Sequence, residues 1–144
     1  MLMIVMTMFT LMSCGDEEEQ LPLKSVIVGK WYSYKANVSS NGNTKTVTVT
    51  QNGEYAAFYL EVIAAANGTA VIKGWKEDEN GQLMYWGEEE NCVYTIQGND
   101  LTLTDSSGEK IGAKYYPEDK NIVLTLLSKD YLGNLITTNL FFRK

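Results

Sequence analysis

The chain has 144 residues, enough for one domain with a genuine core. Its net charge of -6, with Lys residues scattered and no basic stripe, argues against nucleic acid as a partner. It contains no histidine, which excludes Ser-His-Asp and Cys-His catalysis and every His-ligated metal site. The first element, Met1 to Ser13, is almost wholly apolar and uncharged. As a helix it would reach roughly 20 Å, short of the ~30 Å hydrocarbon core of a bilayer. A short secretory leader therefore fits it better than a membrane-spanning helix.

The leader ends in "LMSC", Leu11 to Cys14, followed by "GDEEEQ", Gly15 to Gln20. Leu11, three residues before the cysteine, and the small Ser13 resemble the lipobox of bacterial lipoproteins. That resemblance implies cleavage after Ser13 and attachment of diacylglycerol to the Cys14 sulfur. It also implies an outer-membrane lipoprotein, since Gly15 is not the Asp of an inner-membrane retention mark. The acidic run reads as a solvated, self-repelling tether. It also resembles the surface-export signal of some lipoproteins, which implies a cell-surface position. With Cys14 lipidated, Cys92 has no disulfide partner and is expected as a buried thiol. The expected organisation is a signal peptide over 1–13, a tether over 14–25 and a single β-domain over 26–144.

Pro22 helps to end the tether. The first strand is expected in "VGKWYSYKAN". In "TKTVTVTQ", Val47 and Val49 share one face and Thr46, Thr48 and Thr50 the other. "EYAAFYLEVIAAA" is the only helix candidate, but Tyr55, Phe58, Tyr59, Val62 and Ile63 suit a pleated surface. Trp75, Tyr85 and Trp86 flank the Asn80-Gly81 turn and are expected on paired strands. "NDLTLTD" sets Leu101 and Leu103 against Thr102 and Thr104. "LITTNLFFRK" aligns Ile136, Thr138, Leu140 and Phe142. Turn signals recur between these runs, from "NGN" at Asn41 to Asn43 through "SSG" at Ser106 to Gly108 and "GN" at Gly133-Asn134. Sequential antiparallel neighbours without helices must close or pair to hide an apolar face. The expected fold is all-β, an antiparallel up-and-down barrel of eight to ten strands.

Gly29-Lys30-Trp31 ahead of the first strand resembles the G-x-W signature of lipocalins. "NCVYTIQGNDLTLTD" and the closing "LFFRK" look like bacterial lipocalin-like lipoproteins, so the resemblance spans roughly Val28 to Lys144. It implies that Trp31 packs across the closed end of the barrel under a basic residue from the last strand, a place that Arg143 fills. Gly29, Trp31 and Arg143 are thus structural, not ligand-binding.

No catalytic constellation emerges. "KEDENGQ", Lys76 to Gln82, lacks the oxygens and the terminal bidentate Glu of a calcium loop and reads as an acidic hairpin. Glu88 and Glu90 share one strand face about 6.5–7 Å apart, a separation that glycosidases use, but the run reads better as solvated charge. No catalytic residue, metal or cofactor is expected. Trp75, Tyr85 and Trp86 are the candidate ligand-binding patch at the barrel mouth, against the plainer reading of cross-strand packing. The leading function is a membrane-anchored lipoprotein whose barrel holds a small apolar or amphipathic ligand. The alternative is a filled barrel acting as an interaction, inhibitor or scaffold protein. The expected partners are the membrane, through the lipid, and either a small hydrophobic ligand or a surface protein.

Overall fold

The computed structural model describes residues 21–144. Nine strands follow a one-turn helix, α1 (Leu23–Val26). They are β1 (Gly29–Ser40), β2 (Asn43–Thr48), β3 (Glu61–Ala64), β4 (Thr69–Glu77), β5 (Leu83–Gln97), β6 (Asp100–Asp105), β7 (Lys110–Tyr116), β8 (Asn121–Lys129) and β9 (Leu135–Arg143). Every strand pairing is antiparallel, and β9 returns to pair with β1. Eight strands, β1 and β3 to β9, close a barrel. The extra strand, β2, lies along β1 beyond the point where β3 stops. The all-β barrel expected from the turn spacing is thus the fold.

β1 reaches three neighbours because it is long. Gly29 to Tyr32 pair with β3 and Lys35 to Ser40 with β2, while the opposite edge pairs with β9. Tyr34 is an extra residue in the β1–β9 ladder, between the pairs Ser33–Phe142 and Lys35–Phe141. Such a bulge bends a strand. Beside it, the buried Ser33 hydroxyl accepts from the Leu60 amide at 2.8 Å and donates to the Phe58 carbonyl at 2.9 Å. These bonds pin the segment that crosses from β2 to β3. They explain why "EYAAFY" curls into a short 3₁₀ turn (Ala56–Phe58) and does not extend the strand as its composition suggests. Only Glu61–Ala64 is pleated.

Alternation fills the interior. Val47, Leu101, Leu103, Ile122, Leu124, Leu140 and Phe142 are all buried in one cluster, with Cys92 as a free buried thiol. Each fully buried aliphatic or aromatic side chain contributes about 1.5–3 kcal/mol. At one end the barrel is plugged from below. Leu23, inside the stretch expected as tether, is wholly buried, and so is Ile27.

The other end is built differently. β4 and β5 pair from Thr69–Val93 out to Glu77–Leu83, but β6 joins β5 only over Cys92 to Gln97. β7 joins β8 only over Asn121 to Leu124. The short β6–β7 hairpin therefore leaves a notch in the wall. Above it, Leu83 to Asn91 of β5 and Thr125 to Lys129 of β8 each keep one edge without a strand partner among the described residues. The β4–β5 hairpin rises past the notch as a two-stranded ribbon. Gly87 (φ +108°) is an extra residue between the pairs Gly74–Glu88 and Trp75–Trp86, a second bulge.

Three hairpins at this open end share one turn. In "DENGQ", "DSSGE" and "DYLGN", the Asp carboxylate accepts from the amides two and four residues on, at 2.8–2.9 Å. The glycine in fourth place carries φ of +79°, +90° and +85° (Gly81, Gly108 and Gly133). Its amide bonds back to the Asp carbonyl. Positive φ comes at little cost only for glycine.

Candidate functional site

The closed end holds Gly29-Lys30-Trp31. Trp31 is buried, and its indole nitrogen donates to the Ile27 carbonyl at 2.8 Å. Its ring meets Tyr115 edge-on at 6.1 Å. Gly29 has φ +131°, and a Cβ there would press on Lys144 at 3.3 Å. The cation over Trp31 is Lys144, whose ammonium lies 5.4 Å from the ring and donates to the Val28 carbonyl at 2.8 Å. Arg143, expected in that place, stacks instead on Tyr34 at 4.3 Å, with Tyr32 further off at 5.7 Å. The reason is strand alternation: Phe142 faces the core, so its neighbour faces away. A cleft of ≈ 480 Å³ opens beside these residues, walled by Leu21, Val26, Trp31 and Tyr115, with Arg143 and Lys144 at its edge.

The packed half of the interior offers far less room, although toward the open end a cleft of ≈ 350 Å³ lies against Leu60, Ile72 and Gly74. The space among Trp31, Val62, Leu103, Leu124 and Phe142 is ≈ 20 Å³. That is room for about one water, whereas pockets for small ligands run to about 300–1,000 Å³. Side chains fill the packed half of the barrel.

Trp75 and Trp86 are direct cross-strand partners, with ring centroids 6.0 Å apart. Tyr59 joins them at 5.1 Å from Trp86, and the Trp75 indole donates to the Gln51 carbonyl at 3.0 Å. Ala70, Ile72 and Gly74 share the inward face of β4, so Trp75 lies on the outer face. The tryptophans therefore form a half-buried cluster against the β2–β3 crossing and do not line a mouth. Tyr85 stands apart, paired in register with Lys76 and 54% exposed. Tyr59, which the sequence offered only as a strand former, completes the cluster. Its hydroxyl donates to Glu61 at 2.9 Å. Burial first, and then the Glu61 carboxylate, push its pKa up to about 12.

The acidic residues stay in solvent. Glu88 and Glu90 share a strand face, both exposed. Lys76 pairs with Glu88 at 3.3 Å and Lys73 with Glu89 at 3.9 Å, exposed contacts worth little to stability. Asp78 serves the first of the repeated turns and binds amides, as the hairpin reading expects. Among the described residues no group of three or more His, Cys, Asp or Glu side chains is arranged to hold a metal. Burial raises the pKa of the Cys92 thiol, with Glu90 and Asp105 adding to the effect, so the thiolate is disfavoured. Cys14 lies outside the described residues.

The open rim displays apolar side chains. Tyr131 is 95%, Leu132 70% and Leu127 67% exposed around the β8–β9 tip, with Leu135 beside them. Leu83, Met84 and Tyr85 do the same on the ribbon. Sequence reading missed this rim. Its signal was the pair of apolar residues inside "DYLGN", where a turn has no core to face.

No family model matches the chain, and no curated protein matches it. Among solved structures it is similar to a lipocalin-like protein from Bacteroides uniformis, with 15% identity, TM-score 0.43 and coverage of 81% of this chain and 96% of that one. An uncharacterized protein from Bacteroides eggerthii gives 15% identity, TM-score 0.44 and coverage of 81% and 98%. Transferrin Binding Protein B from Haemophilus parasuis gives 14% identity and TM-score 0.41, over 80% of this chain and 25% of that one. The barrel assignment rests on the strand pairing itself.

Proposed function

We propose that this chain is a non-catalytic, surface-displayed bacterial lipoprotein whose filled barrel presents its open rim to a protein partner. The observation that carries this reading is the contrast between a space of only ≈ 20 Å³ in the packed half of the barrel and the exposed Tyr131, Leu132 and Leu127. Large apolar side chains clustered on a surface cost solubility unless a partner covers them. Residue 21 enters at the closed end, beneath α1, so a tether running back to Cys14 would hold the rim away from the bilayer. Two or three acyl chains at Cys14, at about 0.8 kcal/mol per buried CH₂, would hold the protein nearly irreversibly.

The test uses intact cells. A photo-crosslinking residue placed at Leu132 should yield a discrete product, and the same probe at Thr95, on the wall, should not. Equal products at both positions, or none at either, sink the rim reading. Palmitate labelling should vanish in Cys14→Ser, and externally added protease should shave the domain from whole cells.

A second reading has one observation in its favour. The ≈ 480 Å³ closed-end cleft is large enough for a small amphipathic ligand, with apolar walls and with Lys120, Arg143, Lys144 and Asp119 in its lining. A molecule retained in native mass spectra of protein from its own host, and lost in Val26→Trp, would support it.

A further inference from the structure

The notch in the barrel wall leaves a strand edge of a definite kind. From Leu83 to Asn91, β5 is paired on one side by β4 and open on the other among the described residues. That edge is nine residues, about 30 Å at roughly 3.3 Å per residue. It is exposed except at Trp86 and Gly87. An unpaired edge is a template for another strand, because its amides and carbonyls already stand in ladder geometry.

The charge along the edge selects the occupant. Between Lys73 and Asn91 six carboxylates (Glu77, Asp78, Glu79 and Glu88 to Glu90) stand against two cations, Lys73 and Lys76. Both cations are already paired across the ribbon, with Glu89 and Glu88. At the foot of the edge, where β6 leaves β5, Glu90 lies beside Asp105, and neither is in a salt bridge among the described residues. A second copy laid along the same edge would bring three more glutamates and no cation, since Leu83 to Asn91 contains no Lys or Arg. A basic strand would meet the glutamates of the edge instead. Met84 and Tyr85, exposed toward the ribbon tip, supply apolar contact for its other end.

We propose that the free edge of β5, Leu83 to Asn91, accepts an extended basic segment of a partner protein as an added strand. The proposal rests on the protein-binding reading above and names the chemistry of the partner. The register that brings Lys or Arg side chains beside Glu88 and Glu90 sets alternate cations on one face of the incoming strand.

The test uses the full-length chain and three synthetic nonapeptides. The first alternates Lys and Val; the second replaces Lys with Glu; the third is the first with N-methyl groups on consecutive amides. The Lys peptide should bind and should slow amide exchange at Leu83 to Asn91 but not at Thr125 to Lys129. Its affinity should fall at least about tenfold between low and high salt, as screening shortens the reach of charge. Glu88→Gln/Glu89→Gln/Glu90→Gln, three exposed changes that leave the core alone, should weaken it by a similar factor. The Glu peptide and the N-methylated peptide should not bind. Equal binding of the N-methylated peptide, or binding without protection of β5, would reduce the contact to diffuse charge attraction and overturn the proposal. No binding of the Lys peptide also overturns it. A discrete crosslink from Leu132 would then still stand for the rim as a whole, so the two failures are separable.

Discussion

β5 belongs to two environments, and the contrast between its halves explains much of the molecule. At Cys92 and Val93 it is paired on both sides, β6 carries the ladder on to Gln97 while the Gly68 carbonyl takes the Tyr94 amide, and its inward residues Cys92, Tyr94 and Ile96 meet a shared core. From Leu83 to Asn91 it has one neighbour and is mostly exposed on both faces. The same backbone conformation thus serves burial in one half and display in the other. What differs is the length of the adjacent hairpin. β6 and β7 stop early, and everything beyond them on β5 loses both its second ladder and its share of the core.

This contrast can be broken most severely from the packed half. Phe142→Ala removes a side chain only 2% exposed and should destabilise the domain by about 3–5 kcal/mol, read as a lowered urea midpoint. That is a large part of the stability of an ordinary domain. Trp86→Ala on the ribbon should cost less, about 1–2 kcal/mol, since it is half-buried and loses chiefly two ring contacts. A loss equal to that of Phe142→Ala would show that the ribbon is part of the core after all. Leu127→Ser at the rim should change stability by no more than about 0.5 kcal/mol. Without any mutation, amides at Leu83 to Asn91 should exchange faster than those at Cys92 to Gln97 in the free protein.

Two pH effects refine the picture. Tyr59 has its pKa raised by burial, from the ordinary 10.0 to about 12, so folding favours its neutral form. Its contribution is complete below pH 10 and is lost as pH climbs through 12. Burial raises Tyr115 as well, so an ultraviolet titration should show Tyr59 among the late tyrosines and one fewer of them in Tyr59→Phe. The smallest effect lies at the turns. The Asn134 amide foremost, with the Leu132 and Gly133 amides, holds Asp130 below its ordinary 3.8. Ser107 does most of the same for Asp105. Each therefore adds stability above the unfolded value that disappears as pH falls through the folded one. Asp130→Asn should flatten the acid limb of the stability curve slightly, with the rest of the curve unchanged in shape.

The barrel was legible in the sequence because period-two alternation and turn residues are local signals. Val47, Leu101, Leu103, Leu140 and Phe142 all face in as their alternation predicts. The 3₁₀ turn at Ala56–Phe58 was not legible, because it depends on Ser33, a distant hydroxyl at a bulge. The expected role of Arg143 rests on the resemblance and not on the alternation, which already turns Phe142 inward and so Arg143 outward; Lys144, one residue on, is the cation over Trp31. The placement of the candidate patch was illegible for a different reason. Trp75 and Trp86 do meet, but which face of a ribbon they occupy follows from the register, and a one-residue shift reverses it. The notch was beyond reach, since it comes from unequal hairpin lengths on opposite sides of one strand.

The repeated Asp-x-x-Gly turn has a consequence of its own. The first and fourth residues fix the loop, so, the Ser107 hydroxyl bonded to Asp105 apart, the side chains in second and third place are released from shaping it. Those two places hold Glu79 and Asn80 in one hairpin, Ser106 and Ser107 in the next, and Tyr131 and Leu132 in the third. One clasp thus carries three unrelated ornaments, and exchanging the pairs between hairpins would redesign what the crown of the molecule offers while leaving its staves alone.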